Sequence, residues 1–153
     1  MLARISTHLA CTQGELWDQI SRPQSLQFVV SPLLKFRAVE PGTLDGEWEV
    51  GRDYQLQLYL LGHFPLGRHT IYLTRVDREQ NTIASRERGL LARVWNHTIF
   101  FREITPGLVN YTDEIEIQAG WLTPFIWAFA HLFYHHRQRR RKVLLKQNQR
   151  RQP

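Results

Sequence analysis

The chain has one cysteine, Cys11, in 153 residues, so no internal disulfide braces it and its fold must rest on packing and hydrogen bonds. One thiol fits a reducing compartment, and a cytoplasmic location is expected. Long apolar runs are missing too. The longest, residues 121–134, contains Pro124 and His131 and falls short of the roughly 20 residues that span a bilayer. The opening segment MLARISTHLACT has no apolar stretch of the signal-peptide kind, so no leader is expected. Gly-x-Gly loops, Gly-x-Ser-x-Gly and Cys-x-x-Cys are absent, and Cys11 has no base beside it. Phosphoryl transfer, serine hydrolysis and dithiol redox chemistry therefore have no support.

Acidic residues are absent from residues 137–153, which hold eight basic ones, whereas the rest of the chain holds 12 basic and 14 acidic. The net charge of +6 is thus a property of one end. No internal repeat, Gly/Ser linker or low-complexity segment divides the chain, and a single domain over 1–149 with a basic tail over 150–153 is expected. What the chain has in supply is aromatic: five Trp, eight Phe and five Tyr, enough for a core and for a large apolar pocket.

The order of elements can be read from patterning. Residues 3–10 suit a first strand. Thr12 and Glu15 form a capping box that opens a short helix to about Ile20. Ser21 and Pro23 repeat the signal, with Ser as the cap, for a second short helix to about Val29. Extended segments follow at 34–40, 47–50 and 54–60, the last alternating Tyr54, Leu56, Leu58 and Leu60 with Gln55 and Gln57. Residues 62–67 read as a loop, and 68–77, 82–88 and 94–104 as further strands. Thr105-Pro106-Gly107 is a hairpin turn into a last strand, and one long helix begins near Gly120. About seven strands, two short helices after the first and one long helix at the end make an α+β fold.

Alternation on the last hairpin assigns faces. Val109, Tyr111, Asp113, Ile115 and Ile117 share the inner face, while Asn110, Thr112, Glu114 and Glu116 face water. If the turn keeps odd residues opposite odd, Trp95, His97, Ile99 and Phe101 join the inner face. Asp113 then lies on an apolar wall and needs a partner: His97, Tyr111 or an arginine from the long helix.

Three segments carry a family resemblance: Trp95-Asn96-His97 entering a strand, Tyr111-Thr112-Asp113-Glu114-Ile115 after the Pro-Gly turn, and Phe133-Tyr134-His135-His136-Arg137-Gln138 in the last helix. With the element order, they resemble the START-like (SRPBCC, helix-grip) superfamily, and within it a bacterial polyketide cyclase/dehydrase-like ligand-binding subgroup. The resemblance covers nearly the whole chain. It implies a curved antiparallel sheet of six or seven strands around a long C-terminal helix, with a cavity between them for a lipid, quinone or polyketide-like molecule. No cofactor and no fixed catalytic signature come with it.

On that expectation the cavity is walled by Leu56, Leu58, Trp95, Ile99, Phe101, Tyr111, Phe125, Phe129 and Phe133, with His97 and Asp113 as its polar end. His97, Asp113 and Tyr111 are the candidates for proton transfer beside a carbonyl, as in an aromatase or cyclase. The same three residues read first as a structural hydrogen-bond cluster, with a group that orients a ligand without turnover as an intermediate option. Carriage of a hydrophobic molecule is the leading reading, ahead of an enzyme. His131 and His135 lie four apart on the helix but have no Glu or Cys beside them, so no metal is assigned. The basic end reads first as a solvated helix terminus and second as a contact with anionic membrane through Arg137, Arg139, Arg140, Arg141 and Lys142. No nucleic-acid motif accompanies it.

Overall fold

The computed structural model describes residues 1–152; of the tail expected over 150–153, Pro153 lies outside the described residues. In chain order the elements are β1 (Leu2–Leu9), α1 (Gln13–Ile20), α2 (Pro23–Val30), β2 (Leu34–Ala38), β3 (Asp53–Leu60), β4 (Phe64–Asp77), β5 (Thr82–Gly89), β6 (Val94–Thr105), β7 (Leu108–Gln118) and α3 (Thr123–Arg151). One 3-10 turn, Gly120–Leu122, leads into α3.

The strands form one antiparallel sheet in the order β1-β7-β6-β5-β4-β3-β2, so β1 pairs with the last strand and β2 lies at the far edge. Helices α1 and α2 carry the chain from one edge to the other. Register shifts interrupt β3–β4 at Leu58/Tyr59, β4–β5 at Leu73/Arg75 and β6–β7 at Glu103/Thr105. Extra residues of this kind bend a strand and increase its twist, which curves the sheet around α3. This is the helix-grip fold that the element order implied.

The last hairpin keeps odd opposite odd. Trp95 faces Ile117, His97 faces Ile115, Ile99 faces Asp113 and Phe101 faces Tyr111. The inner positions Val109, Tyr111, Asp113, Ile115 and Ile117 are all fully buried. Thr112, expected in water, is buried instead. It stands opposite Ser6 on β1, and the two hydroxyls hydrogen-bond at 2.8 Å, so the edge strand covers it.

Three local expectations are corrected. The capping box forms, with the Glu15 N–H donating to Thr12 and the Glu15 carboxylate accepting from the Thr12 N–H. Ser21, however, is the C-cap of α1 rather than the cap of α2. Its helical backbone (φ −70°, ψ −14°) excludes the extended N-cap geometry, and Arg22 takes that place ahead of Pro23. Residues 47–50 join no strand. The Trp48 N–H donates to Ser21 O at 2.9 Å and its indole to Ile20 O at 3.1 Å, while the Glu49 N–H donates to the Tyr54 hydroxyl at 2.8 Å, so this stretch plugs the helix junction. The loop before β4 is shorter than expected, because Leu60 already pairs with Phe64 around a tight turn at Leu61 and Gly62, both with positive φ.

The β6–β7 turn depends on Gly107, whose φ is +78° and whose N–H donates to Glu103 Oε1 at 2.8 Å. A Cβ here would meet nothing within 4 Å, so a side chain costs backbone strain alone. Gly107→Ala should lower stability by about 1 kcal/mol in urea unfolding. An unchanged midpoint would show that the turn relaxes freely.

Candidate functional site

Helix α3 does not lie centrally on the sheet. It seats on the β1–β7 side, where the Gln138 amide donates to Ile5 O at 2.9 Å and the Trp127 indole to Leu2 O at 2.8 Å. Between its other face and strands β2–β6 is a cavity of about 400 Å³, within the size range of small-molecule sites. Its walls are mostly aliphatic and aromatic: Leu56 and Leu58 from β3, Ile71 and Leu73 from β4, Ile83 from β5 and Ile99 from β6. Phe125, Phe129 and Phe133 form the helical wall; Phe125 is 69% exposed and stands at the mouth, and Phe133 is buried.

A polar group interrupts this wall on β5 and β6. His97 Nε2 donates to Asp113 Oδ1 at 2.8 Å, and the same carboxylate accepts from the Tyr111 hydroxyl at 3.1 Å and from the Gln138 amide at 3.0 Å. Asp113 is 0% exposed. Burial raises its pKa, but the His97 hydrogen bond and the neighbouring Arg137 charge outweigh this and hold it at about 2, against an ordinary 3.8. Burial pushes the Tyr111 hydroxyl up to about 12, against the opposing pull of Arg141, so it stays a donor. A second carboxylate, Glu87, accepts from His69 Nε2 at 2.8 Å and from the Ser85 hydroxyl at 2.7 Å, and its Oε1 lies 4.0 Å from His97 Nδ1. Burial again opposes its ionisation, but the hydrogen bonds from His69 and Ser85 and the charges of His69 and His97 together outweigh burial and lower its pKa. The result is a line of side chains, His69–Glu87–His97–Asp113, running from the cavity wall to the underside of α3.

Of the residues expected at the cavity, Leu56, Leu58, Trp95, His97, Ile99, Phe125, Phe129 and Phe133 line it. Phe101, Tyr111 and Asp113 do not. Phe101 lies beyond the cavity under α1, its ring 5.3 Å from Trp17 in an edge contact. Tyr111 and Asp113 belong to β7, which α3 covers directly. Sequence reasoning missed Ser85, Glu87 and His69. Period-two spacing from Ile83 was a usable signal for the first two, since 83, 85 and 87 share a face. Gly89 explains itself only in three dimensions: a Cβ there would lie 2.7 Å from His69 Nδ1.

The basic helix end is corrected more sharply. Arg137 and Arg141 are 6% and 2% exposed and line the cavity, so neither faces a membrane. Arg140 lies 4.0 Å over the Phe28 ring. Arg139 and Lys142 remain exposed. The arginines were read as one basic run, but helical period sorts them, because 137 and 141 fall on the face that continues the Phe stripe. His131 and His135 stack at 6.4 Å, and among the described residues no group of three His, Cys, Asp or Glu side chains is arranged to hold a metal ion. No helix among the described residues is long and apolar enough to cross a membrane.

Residues 7–144 match the sequence profile of a family described as a domain of unknown function, DUF8410. The chain belongs to the DUF8410 family. No curated protein matches it. Solved structures resemble it in fold at low identity. Protein CV1439 from Chromobacterium violaceum superposes with a TM-score of 0.74 at 13% identity, covering 94% of this chain and 96% of that one. A START superfamily protein from Mycobacterium smegmatis gives 0.62 at 12%, covering 95% and 97%. Ara h 8.0201 gives 0.69 at 8%, covering 96% and 98%. The fold of this DUF8410 member is therefore START-like.

The low pKa of Asp113 has a consequence for stability. A carboxylate whose folded pKa lies below its unfolded value stabilises the fold above the unfolded pKa, and that contribution is lost as pH falls through the folded one. For Asp113 the window runs from about pH 4 down to about 2, and the contribution is on the order of 2 kcal/mol. Asp113→Asn should be less stable than the wild type at pH 7, with the gap closing as pH drops across that window. Urea midpoints measured at pH 7, 4, 3 and 2 test this. A gap that stays constant with pH would mean that the carboxylate charge contributes nothing.

Proposed function

We propose that this protein binds or carries a hydrophobic small molecule in the cavity between the sheet and α3. The observation that carries the reading is the cavity itself. Its roughly 400 Å³ lie mostly against aliphatic and aromatic side chains from five strands and three helices, with few polar groups among them. Apolar sites with a few placed polar groups are the usual form of small-molecule pockets. Burial of apolar ligand surface there contributes about 25 cal/mol per Å² before ordering costs. The START-like fold supports the reading at the level of architecture.

The geometry of His97 favours holding a ligand over transforming one. Its Nε2 is committed to Asp113 at 2.8 Å and its Nδ1 faces Glu87 at 4.0 Å. Both ring nitrogens thus point at carboxylates, and Asp113 and Tyr111 are occupied by protein partners. A general acid or base needs an open position within hydrogen-bonding reach of its substrate. A cyclase reading therefore has less support than carriage.

The neutral probe N-phenyl-1-naphthylamine tests this directly. It should bind with one saturable site and enhanced fluorescence, and Ile99→Trp, which fills the cavity, should weaken binding at least tenfold while the far-ultraviolet circular dichroism is retained. Native mass spectrometry before and after organic extraction should show a copurifying apolar molecule where one is retained. Absence of saturable probe binding by the wild type would end the proposal.

A further inference from the structure

Five cavity-lining residues of α3 recur every four positions: Phe125, Phe129, Phe133, Arg137 and Arg141. They span about 24 Å of helix at 1.5 Å per residue. The stripe changes character once, from aromatic to cationic, between Phe133 and Arg137. A wall that is greasy at the mouth and positively charged at its inner end is not what a purely apolar ligand requires.

The two guanidiniums have unused hydrogen-bonding capacity. Both side chains are more than nine-tenths buried, and the Nε of each lacks a hydrogen-bond partner. The one hydrogen bond either makes among the described residues is from Arg141 Nη1 to Gln19 Oε1, at 2.8 Å. Otherwise they lie over rings, Arg137 at 5.2 Å from the Tyr134 centroid and Arg141 at 5.3 Å from that of Tyr111. The nearby carboxylates do not close this gap. Asp113 accepts from His97, Tyr111 and Gln138, Glu87 from His69 and Ser85, and neither lies within ion-pairing distance of either arginine. An arginine keeps its charge in any protein environment, and a buried guanidinium with open donors is costly unless an acceptor meets it. The acceptor that suits a planar fork of donors is an oxyanion.

We propose that the ligand is an amphipathic acid. Its apolar body lies along Phe125, Phe129 and Phe133, and its oxyanion head group reaches Arg137 and Arg141 at the inner end of the cavity. The inference rests on the cavity being a ligand site and adds the charge and orientation of the occupant.

Displacement of N-phenyl-1-naphthylamine at pH 7.5, below micellar concentrations, provides the test, with dodecanoate, methyl dodecanoate, dodecyl phosphate and dodecyltrimethylammonium as competitors. Dodecanoate or dodecyl phosphate should displace the probe at a concentration at least tenfold lower than the methyl ester, and the cation should be weakest; whichever of the first two is stronger identifies the head group as carboxylate or phosphate. Arg137→Met should bring acid and ester within threefold of each other, chiefly by weakening the acid. Should that variant fail to fold, the wild-type ranking alone decides. Probe binding with ester equal to or tighter than both acids overturns the anionic head and leaves the apolar site standing. No probe binding at all overturns the site as well.

Discussion

A carboxylate without water must have its charge met by the protein, and in this fold that requirement falls on Asp113. Its partners come from three elements: His97 from β6, Tyr111 from β7 and Gln138 from α3. Gln138 also bonds the main chain of β1 through Ile5. One buried anion thus ties the sheet's β1–β7–β6 side to the helix. Removing a partner from such a cluster leaves a charge or a donor stranded, at a cost of several kcal/mol. The cluster therefore fixes both the rotation and the height of α3 over the sheet. Every other feature of the site follows from that placement.

With α3 held to one side, the rest of the sheet's inner face is left uncovered by helix. Strands β2 to β5 curve over it, and their inward leucines and isoleucines face space rather than a packed partner. Close packing is the norm in protein interiors, and empty apolar volume costs stability. A fold that keeps about 400 Å³ open gives up stability that a collapsed core would have kept. The same asymmetry explains why β7 contributes nothing to the cavity although its inner face is buried: the helix that grips it also seals it.

Much of this was legible in the sequence, and the reasons differ by element. Strict alternation from Val109 to Ile117 fixed the inner face of β7, because a half-covered strand tolerates no slip of one residue. The Thr12–Glu15 box and the Pro106-Gly107 turn are local chemistry and read correctly. Asp113 announced its need for partners, and His97, Tyr111 and the Arg137 charge all answer it. Gln138 stayed hidden because its role depends on which strands lie opposite, a non-local fact, whereas Glu87 shares a face with Ile83 and only its partner His69 is non-local. Residues 47–50 looked extended because nothing in their pattern says that Trp48 will cap the α1–α2 junction. The basic end misled for a different reason: composition weighs five cations equally, whereas a helix sends two of them inward.

That last point changes what the helix is. Arg137 and Arg141 are not the end of a solvated terminus. They continue the face that Phe125, Phe129 and Phe133 begin. The Arg137 cation is partly offset by Asp113 and Glu87, but the offset is charge at a distance and not hydrogen bonding. Long-range charge lowers the cost of burying an ion without occupying its donors. The donors stay free because both carboxylates are held by the histidines, Ser85, Tyr111 and Gln138, out of ion-pairing distance of the arginines. The line from His69 to Asp113 thus acts in two ways. It anchors α3, and by satisfying both carboxylates it keeps the arginines available to whatever enters the cavity.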